Sequence, residues 1–246
     1  MSGITKRHIT GCNRDIHTNT TEKITSNGTF LNTVGGVAVR LVSSSANDAV
    51  AGSGALTCLI TGYSATGVLQ TSTVTMTGVA PSSVTTELYS RILEVEVLTA
   101  GTAYGSNSGT ITCEKADGTD IILMDAGIGV TRSANYTVPL GKRAIVRQIN
   151  MNASLAGYVL LDTVKDSLSA APVSLLQEII SIANNGQYQK TYDYGSFILE
   201  PLEQMSFRCT NHSGNNNIVS VTFDVDEVSS SLVMLEAPDL YGINLQ

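Results

Sequence analysis

The 246-residue chain carries 14 Lys and Arg against 21 Asp and Glu, a formal net charge of −7. Charged residues make up only 14% of it, against roughly 25% in typical soluble domains, and Ser, Thr, Asn and Gly supply the polarity instead. There is no basic surface for non-specific nucleic-acid binding, and no apolar run near the ~20 residues of a membrane-spanning helix.

Residues 1–27 are polar, rich in Thr and Asn and weakly periodic, and read as an extended N-terminal arm that could add an edge strand elsewhere. The first twenty lack the apolar stretch of a secretory signal, so synthesis in a reducing cytoplasm is expected. The cations Lys6, Arg7 and Arg14 read first as a solvated arm, and as a functional feature would suit an acidic neighbouring subunit. A first β-sandwich domain is expected over 28–127. Its strands are Thr29–Asn32, Gly36–Ser43, Ala55–Thr61, the Thr-rich Leu69–Thr77 and Arg91–Thr99. The glycine-rich stretch after Arg91–Thr99 predicts a hairpin returning along Gly109–Cys113, the element other strands would join. Asp117-Gly118 marks a tight turn before the apolar run Ile121–Met124.

Asp125–Asn135 is the expected boundary, and a second β-sandwich domain is placed at 128–228. Ala144–Asn150 alternates, and Gly157–Thr163 is expected to pair with it. Ala171–Ala183 carries two signals. Leu175, Leu176, Ile179 and Ile180 have helical spacing, while β-branched Ile179, Ile180 and Ile182 before Asn-Asn-Gly favour a strand; strand character is expected near the isoleucines. Gly195–Pro201, Gln204–Thr210 and Ile218–Val228 are further strands. Residues 229–246 read as a C-terminal tail, apolar at Leu232, Val233 and Leu235. Turn signals at roughly eight- to twelve-residue intervals make the fold all-β, with two jelly-roll-like sandwiches.

Catalytic groups are sparse. His8, His17 and His212 lie in arm or loop segments without a second ligand nearby and read as surface residues. The four cysteines, Cys12, Cys58, Cys113 and Cys209, have no metal-ligand spacing; Cys58 and Cys113 fall in strands as buried thiols. No serine sits in a nucleophile elbow. Glu94 and Glu96 on one strand could serve as an acid/base pair in a glycan hydrolase, but read as a solvent-facing surface. Asp224, Asp226 and Glu227 read the same way. Asp117-Gly118-Thr119-Asp120 offers carboxylates to Ca²⁺ without the rest of an EF-hand, and is a turn. No catalytic, cofactor or metal residue is assigned. Tyr188, Tyr192 and Tyr194 form the aromatic cluster; Tyr192 and Tyr194 would share a strand face, as carbohydrate or nucleobase platforms do, with packing or subunit contact the preferred reading.

Several segments together resemble β-rich virion structural proteins of tailed bacteriophages, notably of marine and cyanobacterial hosts. They are the loop Asn47–Ala55, the strand Thr73–Gly78, the Arg91 strand running through Ala100-Gly101 to Asn107–Ile111, and Tyr136–Lys142. The likeness spans about Ser45 to Lys142. It implies a non-enzymatic capsid decoration or cement protein, a homo-oligomer in the virion whose partners are the major capsid protein or other virion proteins. The alternatives are a head–tail or tail structural protein and a glycan- or receptor-binding module of a tail fibre. Expected contact residues are Lys6, Arg7, Arg14, Tyr192, Tyr194, Leu232, Val233 and Leu235.

Overall fold

A computed structural model describes residues 4–26, 32–33, 35–102, 106–165, 173–211 and 214–231. The expected strand at Thr29–Asn32 falls, except for Asn32, outside them, as do His212 and the tail positions Leu232, Val233 and Leu235. Every named element is a β-strand: β1 (Thr5–Ile16), β2 (Thr21–Lys23), β3 (Val39–Ser43), β4 (Ala55–Tyr63), β5 (Leu69–Thr75), β6 (Arg91–Ala100), β7 (Ile111–Lys115) and β8 (Asp120–Met124). There follow β9 (Asn135–Thr137), β10 (Lys142–Ala153), β11 (Gly157–Lys165), β12 (Val173–Ile182), β13 (Gly186–Thr191), β14 (Ile198–Leu199), β15 (Gln204–Asn211) and β16 (Asn217–Ser229).

These strands form four antiparallel sheets around two apolar cores. The larger core lies between β1-β16-β10-β13, with β14 beside β10, and β12-β11-β15-β2, with β9 beside β15. Strand alternation builds it. Val219, Val221, Phe223 and Val225 of β16 all point inward, and Phe223 meets Phe207 of the facing sheet at a ring separation of 5.3 Å. The smaller core lies between β3-β7-β8 and β5-β4-β6. There Ile92 and Val95 are both buried despite their odd spacing, because the β4–β6 register shifts at Leu93. Gly62, opposite, permits that shift: a Cβ there would lie 2.1 Å from the Arg91 carbonyl oxygen.

Residues 1–27 were expected as an arm that could add an edge strand, and the described part supplies one, β1, built into the larger unit. β1 pairs with β16 from Thr5↔Glu227 to Ile16↔Asn217, and Ile16 and Ile24 belong to the larger core. Gly11 brings β1 hard against Ala134, whose backbone N would be 2.0 Å from an added Cβ. The chain leaves this unit and re-enters it at one place. Thr25 bridges Ser133, and Ala134 N–H donates to the Ile24 carbonyl at 2.9 Å. The smaller unit is therefore an excursion between β2 and β9.

Two expected pairings are corrected. β6 and β7 form no hairpin. β6 has β4 on one edge and residues 129–131 on the other, while β7 is taken by β3 and β8. Likewise Ala144–Asn150 does not pair with Gly157–Thr163, since β10 and β11 lie in opposite sheets. The intervening corner is held by side chains: Asn217 Oδ1 accepts from Leu155 N–H at 2.9 Å, and Asn184 Oδ1 from Ala156 N–H at 2.7 Å. Ala171–Ala183 contains strand β12, with no helix.

Candidate functional site

The outer face of β1-β16-β10 carries a groove of about 510 Å³ lined by Lys6, Arg7, His8, Arg147, Asp224 and Asp226. Register explains the grouping. Lys6 lies opposite Asp226 and His8 opposite Asp224, so each β1 cation stands beside a β16 carboxylate. His8 Nδ1 lies 2.6 Å from Asp224 Oδ1, and Arg147 Nε lies 3.9 Å from Asp226 Oδ2. The Arg147 guanidinium sits 4.8 Å from the centre of the Tyr194 ring, which is 55% exposed. Two expected contact residues, Lys6 and Tyr194, thus gather on one surface; Arg7 borders the groove, but its side chain turns to the other face of β1, opposite inward-pointing Val225.

The others do not join them. β13 ends at Thr191, before the tyrosines, so Tyr192 and Tyr194 leave any common strand face. Tyr192 stacks edge-on against Phe197 at 5.2 Å and its hydroxyl donates to Glu178. Burial and then the Glu178 charge push its pKa up. Arg14 is exposed where the β1–β16 register shifts. Leu232, Val233 and Leu235 lie outside the described residues.

Arg7 has a second role at the seam between the two units. Its Nε donates to Glu227 Oε1 at 3.1 Å, and Tyr136 donates its hydroxyl to the same oxygen at 3.0 Å. Glu227, only 3% exposed, is thus a paired buried carboxylate and not the solvent-facing one expected. Burial, followed by the Glu227 charge, drives the Tyr136 pKa far up, so the phenol stays a donor. A cavity of about 290 Å³ beside this network is lined by Glu94, Tyr63 and Leu93 as well as Arg7, Tyr136 and Glu227. Partial burial, then the charge of Glu96, raises the Glu94 pKa. Glu96 is not among the lining residues, so the suggested acid/base pair does not share this cavity.

The structure also reveals a polar centre with no motif in the sequence. Asp48, fully buried, accepts hydrogen bonds from Ser43 Oγ (2.5 Å), Ala55 N (2.8 Å), Ser108 N (2.7 Å) and Gly109 N (2.9 Å). Burial alone would raise its pKa; these four donors outweigh it and hold the carboxyl below its usual value. Asn107 completes the loop, donating to the Gly109 and Asp125 carbonyls and accepting from Gly129 N–H. At Asp117-Gly118, Asp117 Oδ1 accepts from Thr119 N–H at 2.9 Å with Gly118 at φ +87°, a turn closed on itself. Among the described residues no three His, Cys, Asp or Glu side chains cluster to hold a metal ion. No family model and no curated protein sequence matches the chain.

Proposed function

We propose that the protein is a non-enzymatic structural component of a bacteriophage particle, a decoration or cement protein that stabilises the capsid through contacts between subunits. The observation that carries this reading is the strand order of the larger unit. The order β1-β16-β10-β13 facing β2-β15-β11-β12 supports reading it as an eight-stranded jelly roll, an architecture of viral capsid and lectin domains. In this reading the chain holds one jelly roll interrupted between β2 and β10, with the smaller sandwich as its excursion. Fold alone does not set function; the sequence likeness over Ser45 to Lys142 supplies the phage context. The mixed-charge groove around Lys6, Arg147 and Asp226 is the surface offered to the major capsid protein or another virion protein.

Antibody labelling of purified particles, seen by electron microscopy, tests this. Label over the head supports the cement role, label on the tail moves the protein to the alternative placement, and unlabelled particles reject both. A glycan-binding tail module is the second reading. A groove of about 580 Å³ beside β5, lined by Thr71, Thr73, Thr75, Ser83, Thr86 and Glu87, favours it as a hydroxyl-rich surface. Glycan-array binding that is lost in Thr73→Val would select that reading.

A further inference from the structure

The ten residues of β12 read Val-Ser-Leu-Leu-Gln-Glu-Ile-Ile-Ser-Ile, and the halves mirror each other in side-chain type about the Gln177–Glu178 bond. Val173 mirrors Ile182, Ser174 mirrors Ser181, Leu175 mirrors Ile180 and Leu176 mirrors Ile179. Gln177 mirrors Glu178. β12 is also an edge: β11 takes one side, and among the described residues no strand pairs with the other. Edge strands are ordinarily blunted by shortness, lysine or proline. β12 is ten residues long, has no cation and no proline, and its one acid is paired with Lys190 at 2.8 Å. Val173, Leu175, Leu176 and Ile179 are 52, 38, 49 and 59% exposed.

A bulge decides which faces these residues occupy. The β11–β12 register shifts at Gln177, between Leu161↔Glu178 and Asp162↔Leu176. Gln177 therefore points inward like Glu178, and its Nε2 donates to buried Thr163 Oγ1 at 2.7 Å. Leu176 and Ile179, at odd spacing, consequently share the outer face with Ser174 and Ser181. Val173, Leu175, Ile180 and Ile182 share the inner face. A two-fold axis perpendicular to the sheet keeps each face on its own side. Under it, antiparallel β12 strands match type with type and face with face in one register, Leu176 opposite Ile179 of the partner subunit.

We propose that β12 is a self-complementary dimerisation edge, on which β12 of a second copy adds antiparallel so that the sheet β12-β11-β15-β2 runs on through two subunits. Two chains of net charge −7 would then meet along a neutral strip. Gln177 lies opposite Glu178 of the partner subunit, an amide donor against a carboxylate, so like charges are not opposed. The paired strands span about 34 Å. One strand pair with Tyr158, 44% exposed, beside it is a small contact, so the dimer should dissociate on dilution. This edge does not depend on a place in a virion; absence from particles would leave it standing.

Sedimentation velocity of the full chain over a concentration series, with cross-linking, tests the proposal. A concentration-dependent dimer is expected. Ile179→Lys, a change at an exposed side chain, should weaken it at least tenfold while leaving the circular dichroism unchanged. In a Cys12→Ser background, oxidation should link Leu176→Cys chains to Ile179→Cys chains in a mixture, and neither alone. A monomer at every concentration overturns the proposal, as does a dimer indifferent to Ile179→Lys. Efficient self-linking of Ile179→Cys alone would overturn the register.

Discussion

The larger unit places the Phe207 and Phe223 rings at its centre, whereas the smaller unit places the Asp48 carboxylate and the Asn107 amide among its loops. The larger core follows from strand alternation over long elements, β10, β15 and β16. The smaller unit has shorter strands and more loop, so more backbone N–H groups need partners away from a ladder. Asp48 serves three of those groups at once, at Ala55, Ser108 and Gly109. One unit is thus held chiefly by apolar area, and the other leans, besides its apolar core, on the buried Asp48 carboxylate.

Substitutions separate the two. Phe223→Ala should have the largest effect, about 3 to 5 kcal/mol from lost burial and the cavity left behind, read as loss of amide-exchange protection in β10, β15 and β16. Asp48→Ala should cost roughly 3 kcal/mol by orphaning several buried donors, with protection lost in β3, β4 and β7 while β16 keeps its own. Equal loss in both units would break the distinction.

The comparison sharpens with acid. The folded Asp48 pKa is depressed, so its stabilisation is fully present above the unfolded Asp value, about 3.9, and is lost as pH falls through the folded value. Unfolding of the smaller unit should therefore advance below about pH 4, and Asp48→Asn should flatten that dependence. Tyr136→Phe leaves Arg7 as the remaining donor to buried Glu227 at the seam and should cost about 1 to 2 kcal/mol. Lys6→Ala, at an exposed end of β1, should change stability by no more than about 0.5 kcal/mol, so any loss of particle association would report a contact and not a fold defect.

Strand character was legible wherever alternation was strong, as in Ile218–Val228 and Ala144–Asn150, and Asp117-Gly118 announced the β7–β8 turn. Partner choice was not legible. A tight turn after β10 and a glycine-rich stretch after β6 look like hairpins locally, but β11 pairs with β12 and β15 and β7 with β3 and β8, so neither strand returns on the one before it. The N-terminal strand was hidden because Gly11 and Asn13 fill inward positions that an apolar pattern would have marked. Asp48 was unreadable because Ser108 and Gly109 lie about sixty residues away along the chain. Of the expected contact residues, Lys6 and Tyr194, the latter through Arg147 of β10, converge on one face because β1 and β10 flank β16, an adjacency that only the pairing reveals.

The most direct measurement for the account is quantitative mass spectrometry of gradient-purified phage particles from lysates in which the chain is made. Co-purification at a fixed ratio to the major capsid protein is expected, weakened by a high-salt wash because salt screens the charges of the groove around Lys6, Arg147 and Asp226. Recovery of the chain only from the particle-free fraction would contradict it.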